Sequence, residues 1–113
     1  MRPPWPRRLA LAASVLAAIG LLLPLGHHPQ WQLLLNLAHL PAFTLLAWLW
    51  TRALRAEGQS RVVARNRVLA VGLPLGVLGE ALQAVVPGRW LDPLDLIGNL
   101  LGIALGAWLA SRR

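Results

Sequence analysis

Four long apolar stretches dominate this chain and decide most of what it can fold into. They cover residues 9–25, 31–51, 68–86 and 93–110, and only short polar connections separate them. A helix needs about 20 mostly apolar residues to cross a bilayer, with a range of about 17–25, and each stretch meets that requirement. The sequence therefore predicts an all-α fold: a single domain over residues 1–113, built as an integral membrane bundle of four transmembrane helices.

The composition agrees with this prediction and excludes several other classes. Hydrophobic residues make up 57% of the chain and charged residues only 13%, whereas soluble domains average about 25% charged residues. The chain has no cysteine, so disulfide scaffolds and thiolate metal sites are excluded. The net charge of +7 comes from arginines, with no lysine present, and their placement bears on topology.

The arginines are distributed unevenly between the connections. Ten of the eleven fall on one side if the chain crosses a membrane four times: Arg2, Arg7, Arg8, Arg52, Arg55, Arg61, Arg65, Arg67, Arg112 and Arg113. Positively charged loops stay in the cytoplasm. We therefore expect a multi-pass membrane protein with both termini and the middle connection cytoplasmic, whose partner is the lipid bilayer and not nucleic acid. A signal peptide is the alternative for the first stretch, although no small-x-small cleavage site follows it.

Residues 80–99, EALQAVVPGRWLDPLDLIGN, hold three of the four acidic residues of the chain, together with a glutamine, an arginine and an asparagine. Glu80 and Gln83 are three residues apart, so they share one face of the third predicted helix. Asp95 and Asn99 are four residues apart and share one face of the fourth. Two helices therefore present polar faces next to the same short connection.

The polar residues also lie at similar depths. At 1.5 Å per residue, Glu80, Asn99 and His39 lie about 9–12 Å below the outer ends of their helices, and Asp95 lies nearer the surface. A charge at this depth costs at least about 2.5–3.5 kcal/mol, so Glu80 must pair with a cation, take up a proton or contact water. Arg89 is the nearby cation, and its planar guanidinium suits a carboxylate. The sequence predicts a polar pocket open to the outside. Its candidate residues are Glu80, Gln83, Arg89, Asp95, Asn99 and His39.

Structural roles compete with function at several of these positions. Asp92 followed by Pro93 is typical of a helix N-cap with proline at the first helical position. The carboxylate of Asp95 would then be favourable near the positive end of the helix dipole. Gln83 and Asn99 could simply form hydrogen bonds between helices.

Glycines mark the last predicted helix. Gly98, Gly102 and Gly106 form a double GxxxG pattern, and small residues one turn apart let helix backbones approach closely in lipid. Gly72, Gly76 and Gly79 mark the third predicted helix in the same way. We predict that they pack against another helix. That helix belongs either to the same chain or to a second copy, so a homo-oligomer remains open.

The sequence carries no recognised catalytic or metal-binding motif. It lacks the HExxH, GxSxG and phosphate-loop patterns, so the catalytic residues are unknown and whether the chain is an enzyme is undecided. His27 and His28 are adjacent but have no further ligands at zinc spacing. We therefore predict neither a metal site nor a cofactor.

The segment GEALQAVVPGRWLDPLDLIGNLLGIALG resembles the VanZ-like family of small bacterial membrane proteins. The family pattern is a glutamate, a glutamine three residues later, a proline–glycine–arginine-type turn, and then aspartate, asparagine and glycines along the last helix. The matching residues here are Glu80, Gln83, Arg89, Asp95, Asn99, Gly102 and Gly106. An earlier Asp-Lys-x-x-His pattern followed by tyrosine is reduced in LNLAHLPAF to His39, with Leu35 and Asn36 at the acid–lysine positions and Phe43 for the tyrosine.

The resemblance implies a multi-span inner-membrane protein whose chemistry is open. The family's founding member is associated with low-level resistance to the glycopeptide teicoplanin. We expect a protein that binds or modulates a polar cell-envelope molecule, such as a lipid-linked sugar or a peptide. A membrane enzyme acting on a lipid headgroup, with Glu80 or Asp95 as acid or base, is one alternative. A small proton-coupled transporter that uses the Glu80 carboxylate is the other.

Overall fold

The computed structural model describes residues 5–22, 29–85 and 93–112. These residues form four helices: α1 (Trp5–Leu22), α2 (Pro29–Ala56), α3 (Arg61–Gln83) and α4 (Pro93–Ser111). No strand occurs in the described ranges, so the prediction of an all-α fold is confirmed. Helices α2 and α3 extend well into the arginine-rich connection, because hydropathy marks the apolar part of a helix and not its ends.

The turn between α2 and α3 shows why both helices stop where they do. Gly58 has a φ of 101°, a conformation that glycine adopts without steric cost. Its N–H donates to the carbonyl of Arg55 at 3.1 Å. Ser60 then caps α3, because its hydroxyl accepts a hydrogen bond from the backbone N–H of Val63 at 3.1 Å. A left-handed glycine followed by a serine N-cap therefore reverses the chain in four residues.

Two side-chain contacts establish how the helices are ordered. Arg7 of α1 forms an ion pair with Glu57 at 2.8 Å, which places the start of α1 beside the end of α2. Arg55 donates to the carbonyl of Ala110 at 2.9 Å, which places the ends of α2 and α4 together. Neighbours in the sequence are therefore antiparallel, while α2 and α4 run parallel and form the most extensive helix pair.

All the arginines in the described ranges lie at one end of this bundle, which we call the basic end. They are Arg7, Arg8, Arg52, Arg55, Arg61, Arg65, Arg67 and Arg112. The opposite end, where α1 and α3 finish and α2 and α4 begin, is called the far end. The up-and-down arrangement of four helices thus gathers charges that are widely separated in the sequence.

Glycines of α4 bring its backbone close to α2. A Cβ atom added at Gly102 would lie 2.8 Å from the carbonyl oxygen of Leu40. One added at Gly106 would overlap the carbonyl of Thr44 and lie 2.9 Å from the Cβ of Ala47. Any larger residue at these two positions would therefore push the helices apart.

One helix passes a simple test for crossing a membrane. The segment Arg61–Leu82 of α3 is long and apolar enough by length and composition, whereas the apolar segment Asp95–Ser111 of α4 is shorter. Among the described residues, this is the one helix that meets both criteria. The expectation of four transmembrane helices is therefore not confirmed by length and composition.

Candidate functional site

Three buried ionisable side chains from three helices converge in the bundle. His39 of α2 is 5% exposed, Glu80 of α3 is 1% exposed and Asp95 of α4 is 5% exposed. Each offers one potential ligand atom, and these atoms all lie within 4.8 Å of one another. We call these residues the buried triad.

The positions of the triad residues within their helices place them towards the far end. Asp95 is the third residue of α4, and Glu80 lies three residues before the end of α3. His39 lies deeper, in the third turn of α2, and its ring stacks on Phe43 with the centroids 6.2 Å apart. The adjacent Leu40 contacts the glycine face of α4, so the close approach of α2 and α4 holds the imidazole beside Asp95.

Asn99 lies one turn beyond Asp95 on α4 and is also buried, at 1% exposure. Its Nδ2 donates to the carbonyl of Gly76 at 3.5 Å. Gly76 precedes Glu80 by one turn on α3. A Cβ added there would lie 3.1 Å from Cδ1 of Ile103 and in ordinary contact, at 3.7 Å, with the Cβ of Asn99, so α3 and α4 pack closely at this level. The Oδ1 of Asn99 has no hydrogen-bond partner among the described residues.

The charges of the triad lie far from the basic end. Arg52 follows His39 by thirteen residues on α2, and Arg67 precedes Glu80 by thirteen on α3. Each separation corresponds to about 20 Å along a helix. Two carboxyl groups and an imidazole therefore share a small buried volume from which the arginines in the described ranges are remote.

The structure describes the side chains of four of the six predicted pocket residues. It buries His39, Glu80, Asp95 and Asn99 between α2, α3 and α4. Gln83 lies at the end of α3, but its side chain is outside the described residues, as is the whole of Arg89. The predicted pairing of Glu80 with Arg89 stays a prediction.

The three predicted packing glycines also differ. Gly102 and Gly106 face the backbone of α2, whereas a Cβ added at Gly98 would meet nothing within 4 Å among the described atoms. Gly98 is half-buried. Only the later two glycines of the pattern therefore lie at the α2–α4 contact.

Sequence reasoning missed two features of this region. It placed Asp95 nearer the membrane surface than Glu80, whereas their carboxyl groups meet. It also treated Gly76 only as a packing residue, although its carbonyl accepts the hydrogen bond from Asn99. The four-residue spacing of Gly76 and Glu80 is the signal that could have suggested the second feature, because both then lie on one helix face.

An apolar groove lies on the outside of the bundle, away from the triad. It has a volume of about 400 Å³ and is lined by Leu40, Pro41, Thr44, Leu45, Trp48 and Leu105. Its lining belongs to α2 and α4 and includes no member of the triad. The groove therefore offers hydrocarbon contacts and no ionisable group.

The fold and the site together define a class: a small four-helix bundle whose interior holds carboxyl, imidazole and amide groups. A model of the VanZ/LLP1 family matches residues 7–112, so the chain belongs to the VanZ/LLP1 family. This confirms the resemblance drawn from residues 80–106. Neither a curated protein nor a solved structure gives a significant match to the chain.

Proposed function

We propose that this chain is a multi-pass inner-membrane protein that binds a polar group of a cell-envelope molecule at the buried triad. The membrane assignment rests on one observation: large polar side chains are buried inside the bundle, and many large apolar side chains are exposed on its surface. The largest fully buried side chains are Glu80, Asn99 and Thr51, while 21 large apolar side chains are exposed among the described residues.

This distribution suits a lipid surrounding better than water. Exposed apolar area is unfavourable in water, and soluble monomers rarely expose large continuous apolar patches. Of the spanning window in α3, only 11% is buried inside the bundle, whereas the core helix of a soluble protein is mostly buried. In a bilayer the apolar side chains face lipid, and polar residues belong in the protein interior.

Helix lengths and charges support four crossings. The shorter helices, α1 with 18 residues and α4 with 19, are about 27 and 29 Å long, close to a hydrocarbon thickness of about 30 Å. The basic end then lies in the cytoplasm with both termini, and the far end faces outward. The triad lies within a few residues of the far ends of α3 and α4.

Single cysteines can test this topology, because the chain has none of its own. We expect His27→Cys, between α1 and α2, to react with a membrane-impermeant maleimide in intact spheroplasts. Gln59→Cys, between α2 and α3, should react only after lysis. Equal labelling of both before lysis, or release of the protein by carbonate washing, would exclude the four-crossing arrangement.

The binding role is supported by the chemistry of the triad. Carboxylates and an imidazole can hydrogen-bond the hydroxyl and amide groups of sugars and peptides, and Asn99 adds a buried amide beside them. Glycopeptide sensitivity is the phenotype to test first, because the founding member of the family to which the chain belongs is associated with low-level teicoplanin resistance. The triad also lies towards the end of the bundle that faces the envelope in the proposed topology.

Two glutamates of the same chain allow a matched test of this role. A deletion strain would carry the wild type, Glu80→Gln or Glu57→Gln at equal membrane level, and growth in teicoplanin would be measured. We expect Glu80→Gln to lose the wild-type phenotype, whereas Glu57→Gln, at the exposed basic end, retains it. A wild type that leaves growth unchanged from the deletion strain under glycopeptide and other envelope stress would reject the role.

An enzyme acting on a lipid headgroup is a second candidate, favoured by the meeting of two carboxyl groups and an imidazole within 4.8 Å. Such groups can act as general acid and base when a substrate lies within hydrogen-bond reach. Purified protein in nanodiscs of bacterial lipid extract would be followed for headgroup release by mass spectrometry. Turnover by wild type and not by Glu80→Gln would favour the enzyme over a binding protein.

A further inference from the structure

The buried triad has the composition and geometry of a metal centre. Its three members come from three different helices, and all are at least nine-tenths buried. Their candidate ligand atoms lie within 4.8 Å of one another. We propose that His39, Glu80 and Asp95 bind one divalent cation, and that zinc fits this ligand set best. This inference goes beyond the proposed function and does not depend on an envelope ligand.

Charge balance supports a cation at this position. Buried carboxylates are stabilised by partner groups, and a metal ion is one such partner. Glu80 and Asp95, both at least nine-tenths buried, would together carry two negative charges when ionised. A single divalent cation at the triad would neutralise both carboxylates at once.

The ligand types favour zinc over magnesium and calcium. Imidazole suits zinc and other transition metals, whereas magnesium and calcium prefer all-oxygen ligands. Three protein ligands with a fourth position open to water is the arrangement of catalytic zinc sites. Tetrahedral zinc holds its ligand atoms about 3.3 Å apart. The candidate atoms lie within 4.8 Å of one another, so zinc binding would draw them together by up to about 1.5 Å.

A second observation comes from Asn99. Its side chain is 1% exposed, and its Oδ1 has no hydrogen-bond partner among the described residues. Asn99 lies one turn from Asp95 on the same face of α4. A water molecule on the open position of the metal would donate a hydrogen bond to such an acceptor, which is the kind of outer contact that tunes metal sites.

The spacing of these ligands explains why no zinc motif appears in the sequence. Zinc motifs place ligands a few residues apart on one element, whereas His39, Glu80 and Asp95 are brought together only by the packing of α2, α3 and α4. The adjacent His27 and His28 lie outside the described residues and take no part in the proposed site.

The test uses full-length protein purified in detergent through a tag that contains no histidine. A background variant with His27→Gln and His28→Gln retains His39 as its only histidine, since the chain has three. After chelation and dialysis, Zn²⁺ would be titrated and bound metal counted by mass spectrometry. Co²⁺ would serve as a spectroscopic probe, because its visible absorption reports tetrahedral ligation.

We expect about one zinc ion per chain, as a three-residue site requires. Glu80→Gln and Asp95→Asn, which preserve side-chain volume, should bind zinc at least about 100-fold more weakly, since even outer-contact substitutions cost about 10–100-fold. Glu57→Gln is the matched control and should bind as the wild type does. Zinc that washes off the folded wild type, or binding that both triad variants retain in full, would overturn the proposal.

A second measurement covers the case in which the triad variants do not fold. X-ray absorption at the zinc edge would be measured on the background variant, in which the triad is intact. It should show one imidazole ligand together with oxygen ligands at about 2.0–2.2 Å. A spectrum of hydrated zinc without imidazole scattering would overturn the site. Zinc binding without a growth phenotype would keep the metal site and reject the envelope role. A growth phenotype in a protein that binds no zinc would keep the envelope role and reject the metal site.

Discussion

The basic end and the buried triad hold charges in opposite ways. At the basic end the charges face solvent: Arg7 is 57% exposed and its partner Glu57 is 36% exposed. Arg52 and Arg112 lie over the rings of Trp48 and Trp108, with the guanidinium carbons 5.5 and 4.9 Å from the ring centroids. At the triad, three ionisable groups are almost fully buried.

The same residue type therefore contributes differently to stability in the two regions. Exposed ion pairs contribute about 0–1 kcal/mol, because water solvates the separated charges almost as well. Buried charges lose that solvation and depend on the groups that replace it. Glutamate and asparagine each occur in both regions, so matched substitutions can test the comparison.

The largest difference in the free energy of unfolding is expected between substitutions of Glu80 and Glu57. Removing one member of a buried charged set typically costs about 3–5 kcal/mol, so Glu80→Gln should lower the free energy of unfolding in mild detergent by that amount. Glu57→Gln should lower it by less than about 1 kcal/mol. Denaturation followed by circular dichroism would measure both. Equal effects would show that burial does not distinguish the two carboxylates.

The glycines of α4 should show the next largest contrast. Gly102→Ala places a Cβ 2.8 Å from the carbonyl of Leu40, and overpacking of this kind costs about 1–3 kcal/mol. Because Leu40 adjoins His39, the triad should also loosen and bind zinc more weakly. Gly98→Ala meets open space and should be neutral or stabilising, since alanine favours helix by about 1 kcal/mol. Thermal unfolding of the two variants, side by side, checks this order.

A smaller effect is expected from the buried asparagine. Asn99→Leu removes the interhelical hydrogen bond to Gly76, worth about 0.6–2 kcal/mol, and should weaken zinc binding by about 10-fold. Asn66→Leu is its control at the basic end, where the side chain is exposed and accepts only a 3.4 Å hydrogen bond from Arg65. Unchanged zinc affinity in Asn99→Leu would remove the amide from the metal site.

The smallest effect belongs to the exposed ion pair and should depend on salt. Arg7→Gln removes the partner of Glu57 and should cost less than about 1 kcal/mol at low ionic strength. At 1 M salt, where the Debye length is about 3 Å, the cost should vanish. The cost of Glu80→Gln should persist, because buried charges are screened much less. Unfolding curves at two salt concentrations compare the variants directly, and salt-independent behaviour at Arg7 would contradict the comparison.

Local sequence patterns determined much of this protein. The lengths of the apolar stretches indicated four helical elements, and the glycine pattern of α4 indicated a close helix contact that Gly102 and Gly106 make. The positions of the arginines along the chain placed them at one end once the helices alternate in direction. These features are readable because an apolar stretch, a glycine repeat and a charged connection each lie within one short segment of the chain.

Tertiary structure alone decided the triad. His39 and Asp95 are 56 residues apart, and counting residues from assumed helix ends gave Asp95 a shallower depth than Glu80. That method ignores helix tilt and the reach of side chains, so it cannot say which polar groups come within a few ångströms of one another. The sequence by itself determined that polar groups occur on three helices. Packing between those helices decided which of them meet, because contact depends on distances that no local spacing specifies.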